Sequence, residues 1–185
     1  MPDYLLYKLT WDAEKQKYQK RPCRIDGSSL AEHEAPPRVS HAVAAAAVRP
    51  GYALGMWIDP PMFFIDVDNC VVDGKLSPDA SRLLAPFIAA GCYFEASTGG
   101  KGAHIIGRYT GELPPHSNRR PAVHTYEFYA RDRGVVLNPT ACSGSMDVDA
   151  TGALLQALAS DFPPRAAAAD LLPVGERRPE WRGPE

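Results

Sequence analysis

The segment 62–68, Met-Phe-Phe-Ile-Asp-Val-Asp, narrows the fold more than any other stretch of the chain. Its four leading residues are apolar and β-prone, as in a strand covered on both faces, and it follows a Pro-Pro pair that suits the mouth of a strand. The run then ends in carboxylates. Side chains alternate along a strand, so Asp66 and Asp68 share one face while Ile65 and Val67 share the other. Two anions held that close repel each other and are costly to desolvate, which makes a hard divalent cation their natural partner. A buried sheet that carries two acids at one strand end is therefore the first expectation.

The remaining sequence supplies neighbours for that strand. Alternation and turn residues predict strands over 4–11, near Arg24, over 52–58, 92–96 and 103–108, from 123 to 129, and around 134–137. Ser40 precedes an alanine-rich helix stopped by Pro50-Gly51. Ser77-Pro78-Asp79 starts a second helix that Gly91 ends, with Pro86 expected to kink or shorten it. A third helix is expected over 151–160. With 185 residues and 45% hydrophobic content, this is one domain over 1–162, α+β in class, followed by a Pro-, Arg- and Glu-rich tail over 163–185 read as a linker. The four cysteines never form a Cys-x-x-Cys pair and are read as reduced thiols. The chain contains no apolar run of membrane-spanning length, and its first residues lack a secretory pattern, so no membrane partner is expected.

Two further motifs carry chemistry. Ser97-Thr98-Gly99-Gly100-Lys101-Gly102-Ala103-His104 offers closely approachable backbone amides, two hydroxyls and a lysine, the ingredients of a phosphate cradle. It is not a P-loop, because the Gly-x-x-x-x-Gly-Lys-Ser/Thr order is missing and a strand follows. His104 shares a strand face with Ile106 and Arg108; it reads as a core histidine or, coming straight after the glycines, as a phosphate contact. Glu127 lies within Tyr126-Glu127-Phe128-Tyr129, where a carboxylate needs an arginine or a metal to be tolerated. A second Asp-x-Asp, Asp147-Val148-Asp149, sits between Ser-Gly-Ser and Ala-Thr-Gly and reads as a turn and helix cap. Residues 61–95 carry two Lys or Arg against five Asp or Glu, whereas 96–145 carry six against three, so an acidic patch precedes a basic one.

The order of these motifs resembles that of archaeo-eukaryotic primases, most closely the primase-polymerases of phages and plasmids. About 30 residues separate Asp68 from the glycine turn and 23 separate His104 from Glu127. The early Lys-Tyr-Gln-Lys-Arg-Pro segment adds to the likeness, which spans roughly residues 4–160. The resemblance implies an N-terminal αβ unit packed on an RRM-like unit, with the active site between their sheets. It implies that Asp66, Asp68 and Glu127 hold two Mg²⁺ or Mn²⁺ ions, and that Ser97, Thr98, Lys101, His104 and Arg133 bind an incoming (d)NTP. It further implies a single-stranded DNA template and primer, a helicase partner, and a cytoplasmic setting in a bacterial or phage-infected cell. Two departures stand out: Gly102-Ala103-His104 replaces the usual Ser-x-His, and the third acid is glutamate rather than aspartate. Two rival expectations use the same residues. One is a metal-dependent nuclease or phosphohydrolase; the other is a non-catalytic RRM-like module that stacks bases on Tyr126, Phe128 and Tyr129.

Overall fold

The computed structural model describes residues 2–120 and 125–164. Within them the chain is α+β, with sheets dominating. The order is β1 (Tyr4–Asp12), β2 (Lys17–Cys23), α1 (His41–Ala46), β3 (Tyr52–Ile58), β4 (Met62–Val67), the short hairpin β5 (Val71–Val72) and β6 (Lys75–Leu76), then α2 (Pro78–Ala90), β7 (Tyr93–Ala96), β8 (Ala103–Arg108), β9 (Tyr126–Tyr129), β10 (Arg133–Val136), β11 (Cys142–Ser143) and α3 (Thr151–Ser160). One sheet has the order β10-β3-β1-β2 and the other β11-β7-β8-β4-β9. The expected strand from 123 lies partly outside the described residues, as does the tail after 164. Among the described residues no helix is long and apolar enough to cross a membrane, and all four cysteines are free thiols.

The strand 62–67 is an interior strand of the five-stranded sheet, bonded to β8 on one side and to the edge strand β9 on the other. Phe63, Ile65 and Val67 point to the helical side and are completely buried there against Leu84 and Phe87 of α2 and Leu154 of α3. Each such side chain contributes about 1.5–3 kcal/mol on leaving water, which fixes the register and thereby the face on which Asp66 emerges. A second core of Met56, Ile58 and Val135 with Phe64 and Ile106 ties the two sheets together.

Several local expectations need adjustment. Helix α2 starts and ends where its caps predict: the Ser77 hydroxyl accepts from the Ala80 amide and Gly91 adopts φ 85°. Pro86 does not shorten it, because Leu83, Leu84 and Phe87 are anchored in the core on either side. Ser40 occupies the cap position of α1 without a side-chain bond, and that helix ends two residues before Val48. The short strand Cys142–Ser143, which pairs with β7, has no two-residue signature in the sequence.

Candidate functional site

A row of polar side chains crosses the five-stranded sheet on the face opposite the helices. In register, Cys142 of β11 pairs with Glu95 of β7, Glu95 with His104 of β8, His104 with Asp66 of β4, and Asp66 with Glu127 of β9. An isolated bridge adds Arg119 beside Glu127. Four ionisable side chains thus line up across neighbouring strands of one pleated face, where directly opposed side chains touch.

Each member of the row is held differently. Glu95 is fully buried; its Oε2 accepts from the Tyr93 hydroxyl at 2.6 Å and the Asn138 amide at 2.6 Å, while Oε1 lies 2.7 Å from His104 Nδ1. His104 Nε2 lies 3.4 Å from Asp66 Oδ1, within ion-pair distance but without hydrogen-bond alignment. Burial opposes protonation of the imidazole, yet close contact with the Asp66 and Glu95 carboxylates outweighs it and pushes His104 up to about 9. The ring is therefore an imidazolium at neutral pH, clamped by Glu95 at one nitrogen and exposing the other toward Asp66. Glu127 is engaged by the Tyr129 hydroxyl at 2.7 Å, Arg119 Nη2 at 2.8 Å and Arg133 Nη2 at 3.9 Å.

Asp68 stands just past the strand end, its amide bonded to the Thr125 carbonyl at 2.8 Å. Partial desolvation, followed by the charge of Asp66, holds its carboxyl above the ordinary carboxylate range. The glycine turn packs alongside. Val67 pairs with Ala103, and the Val71 amide bonds to the Lys101 carbonyl at 3.1 Å, so 97–102 runs beside the end of β4. Gly102 is required for that approach, since a Cβ there would sit 2.9 Å from the Val67 carbonyl oxygen. Ser97 closes the turn by accepting the Gly102 amide at 2.9 Å. The Thr98 hydroxyl is buried and lacks a partner, Lys101 is exposed, and Gly99 and Gly100 face open space.

Of the sequence-predicted residues, Asp66, His104 and Arg133 line one cleft, together with Phe64 and with Tyr7, Lys20 and Pro22 from the other sheet; its volume is about 310 Å³, and Asp68, Glu127, Ser97, Thr98 and Lys101 are not among its lining residues. Arg133 lies over the Tyr129 ring, 4.2 Å from its centroid. Two functional candidates escaped the sequence reading. Glu95 carries the signal used for Glu127, an acid inside an apolar strand, whereas Lys20 reaches the cleft only through the pairing of Leu9 with Lys20 across β1 and β2. The base-stacking expectation for Tyr126 and Phe128 fails: both are buried on the helical side, because alternation sends them opposite to Glu127. Asp149 forms a turn ahead of α3, accepting from the Thr151 amide at 2.9 Å, but the cap position itself falls to Ala150, which makes no side-chain bond; Asp147 pairs with Arg108.

Among the described residues Asp66 Oδ1 is buried and has no hydrogen-bond donor, and Asp68 is raised by desolvation and then by the charge of Asp66, so this pair fits a cation. The oxygens of Glu127 are already taken by Arg119 and Tyr129, and among the described residues no three His, Cys, Asp or Glu side chains converge closely enough to hold a metal ion. Glu127 joins such a site only by exchanging Arg119 for the ion. No protein-family model matches the chain, and no curated protein matches it.

Proposed function

We propose that the chain is the catalytic domain of a DNA primase-polymerase of the archaeo-eukaryotic type, transferring nucleotides from (d)NTPs to a 3′-hydroxyl on a single-stranded template. The observation that carries this reading is the cross-strand row His104–Asp66–Glu127, with Asp68 and the open glycine turn at the same strand end. The strand order supports it: β7-β8-β4-β9, with α2 and α3 behind, has the 2-3-1-4 order of an RRM-like sheet. Its second helix follows the fourth strand in the chain instead of preceding it, the one departure from that order.

In this reading Asp66 and Asp68, with Glu127 as the third ligand, would hold Mg²⁺ or Mn²⁺, and a bound ion supplies charge neutralisation at the triphosphate and activation of the attacking hydroxyl. The chain's own residues do the positioning. Lys101 and the Gly99-Gly100 backbone meet phosphate at one end of the cleft, while Lys20 and Arg133 supply positive charge across it. His104, fixed by Glu95, offers its Nε2–H to a phosphate oxygen beside Asp66. Thr98 brings a buried hydroxyl that no group among the described residues satisfies.

Primer extension on a primed single-stranded template, with Mg²⁺ or Mn²⁺ and each nucleotide set in turn, tests the reading. Template-dependent extension that Asp66→Asn abolishes is the expected result. Degradation of the primer without extension would instead assign the same acids to a nuclease.

A further inference from the structure

The hairpin of β1 and β2 projects past the cleft and carries a surface that the acid row does not explain. Trp11 pairs with Tyr18 across the two strands, their rings 5.1 Å apart at 68°, and both stay about half exposed, at 49% and 45%. Alternation puts them on a definite face. Tyr7 pairs with Pro22, Leu9 with Lys20, and Trp11 with Tyr18, so all six side chains lie on the side of the hairpin that lines the cleft. The aromatic pair therefore extends the cleft wall outward. Charge is the second observation: residues 4–23 hold five Lys or Arg against two Asp or Glu, a local balance of +3 on a chain whose total is −2.

From this face and charge we infer that the β1–β2 hairpin binds single-stranded DNA, stacking bases on Trp11 and Tyr18 while Lys20, the cation on that face, meets the phosphates and Lys8, Lys17 and Arg21 on the opposite face add only their longer-range field. Every base has a stacking face, so such a platform holds a strand without selecting sequence, and the lysines add an affinity that salt weakens. This deepens the proposed function and rests on it for the strand's identity: the occupant is the template, led from the hairpin into the cleft where Lys20 faces Asp66. A cross-strand aromatic pair also stabilises a hairpin by itself, and that role alone leaves DNA affinity untouched by conservative change.

The test uses the full chain and a fluorescently labelled oligo(dT), without nucleotides or divalent ions. Wild type is expected to bind with an affinity that falls as salt rises, and Trp11→Ala/Tyr18→Ala to bind about tenfold or more weakly. Trp11→Phe/Tyr18→Phe, which keeps the hairpin pair, restores most of the affinity. Oligo(dT) quenches tryptophan emission in wild type, and Trp11→Phe removes that quenching, a readout free of any folding defect. Binding by the double alanine variant equal to wild type, quenching unchanged in Trp11→Phe, or no binding by wild type overturns the hairpin assignment. Failure of the enzymatic reading looks different: wild type and Asp66→Asn then bind oligo(dT) alike, with the same hairpin dependence, while neither extends a primer.

Discussion

His104 Nδ1 and Glu95 Oε1 lie 2.7 Å apart in the interior of the sheet, and that contact decides how the histidine presents itself to the cleft. Replacing Glu95 with Gln keeps the shape but removes the charge that supports the imidazolium, and the amide must now fit donors from Tyr93 and Asn138 with one acceptor oxygen. The expected outcome is a fall in the His104 pKa, read by NMR titration of the ring, and a stability loss of about 1–3 kcal/mol. An unshifted titration would remove Glu95 from any positioning role.

The same imidazolium sets a pH window. Because the folded-state pKa is raised from 6.5 to about 9, its stabilisation is fully present below 6.5 and is lost as pH rises through 9. Denaturant unfolding in EDTA should show wild type losing up to about 3 kcal/mol between these limits relative to His104→Gln. Parallel curves for the two proteins would show that His104 does not carry the charge.

The acids should separate by what holds them. Asp68→Asn relieves repulsion with Asp66, so its thermal midpoint should match or exceed wild type while extension falls by at least about a hundredfold. Glu127→Ala leaves Arg119 and Tyr129 without their acceptor and should cost about 1–2 kcal/mol as well as activity. Asp147→Asn, on the surface beside Arg108, should change neither. Near-normal extension by Asp68→Asn would sink the metal assignment.

Lys101 is exposed in the glycine turn and makes no ion pair among the described residues, so Lys101→Ala should leave folding intact. Its proposed phosphate contact exists before the transition state as well as in it, so KM for dNTP should rise with kcat little changed. A large fall in kcat at constant KM would make it a transition-state contact.

Legibility differed by the range of the interaction. The strand around Phe64, the caps at Ser77 and Gly91, and the Thr151–Ser160 helix follow from local periodicity and capping chemistry, and were readable. Asp66 and Glu127 were readable as acids in apolar strands, but their pairing depends on β4 lying between β8 and β9, a long-range choice that no local pattern encodes. Glu95 carried the same local signal as Glu127, but its role rests on His104, nine residues away through a turn, and Lys20 was hidden because it belongs to the other sheet. The aromatic residues of β9 misled because composition suggested an exposed platform, while the parity of Tyr126 and Phe128 relative to Glu127 already sent them to the helical side.

The last prediction concerns Asp161, which is 1% exposed at the end of α3 and draws three elements together. Arg82 of α2 bonds to it at 2.5 Å, and Arg120, which follows Arg119 beside β9, reaches it at 3.3 Å. Arg120 also pairs with Asp79 at the start of α2. Burial alone would raise the Asp161 carboxyl, but the Arg82 hydrogen bond leads the contributions that hold it below the usual carboxylate range, so its stabilisation is present above the ordinary pKa and fades only in acid. Removing the carboxylate leaves Arg120, the more buried guanidinium, with Asp79 as its remaining acid, while Arg82 is half exposed and recovers water, so the full cost of breaking a buried pair does not apply. Asp161→Ala should therefore lose about 2–3 kcal/mol in denaturant unfolding at pH 7. Arg82→Ala should lose less than half of that, and the double variant should be no worse than Asp161→Ala. Because the Arg120 amide bonds the Tyr126 carbonyl at the start of β9 at 3.1 Å, the Asp161 variant should also weaken the hold on Glu127, seen as lower primer extension at unchanged oligo(dT) affinity. Additive losses in the double variant would show that Arg82 and Asp161 act independently and that the clamp is not a unit.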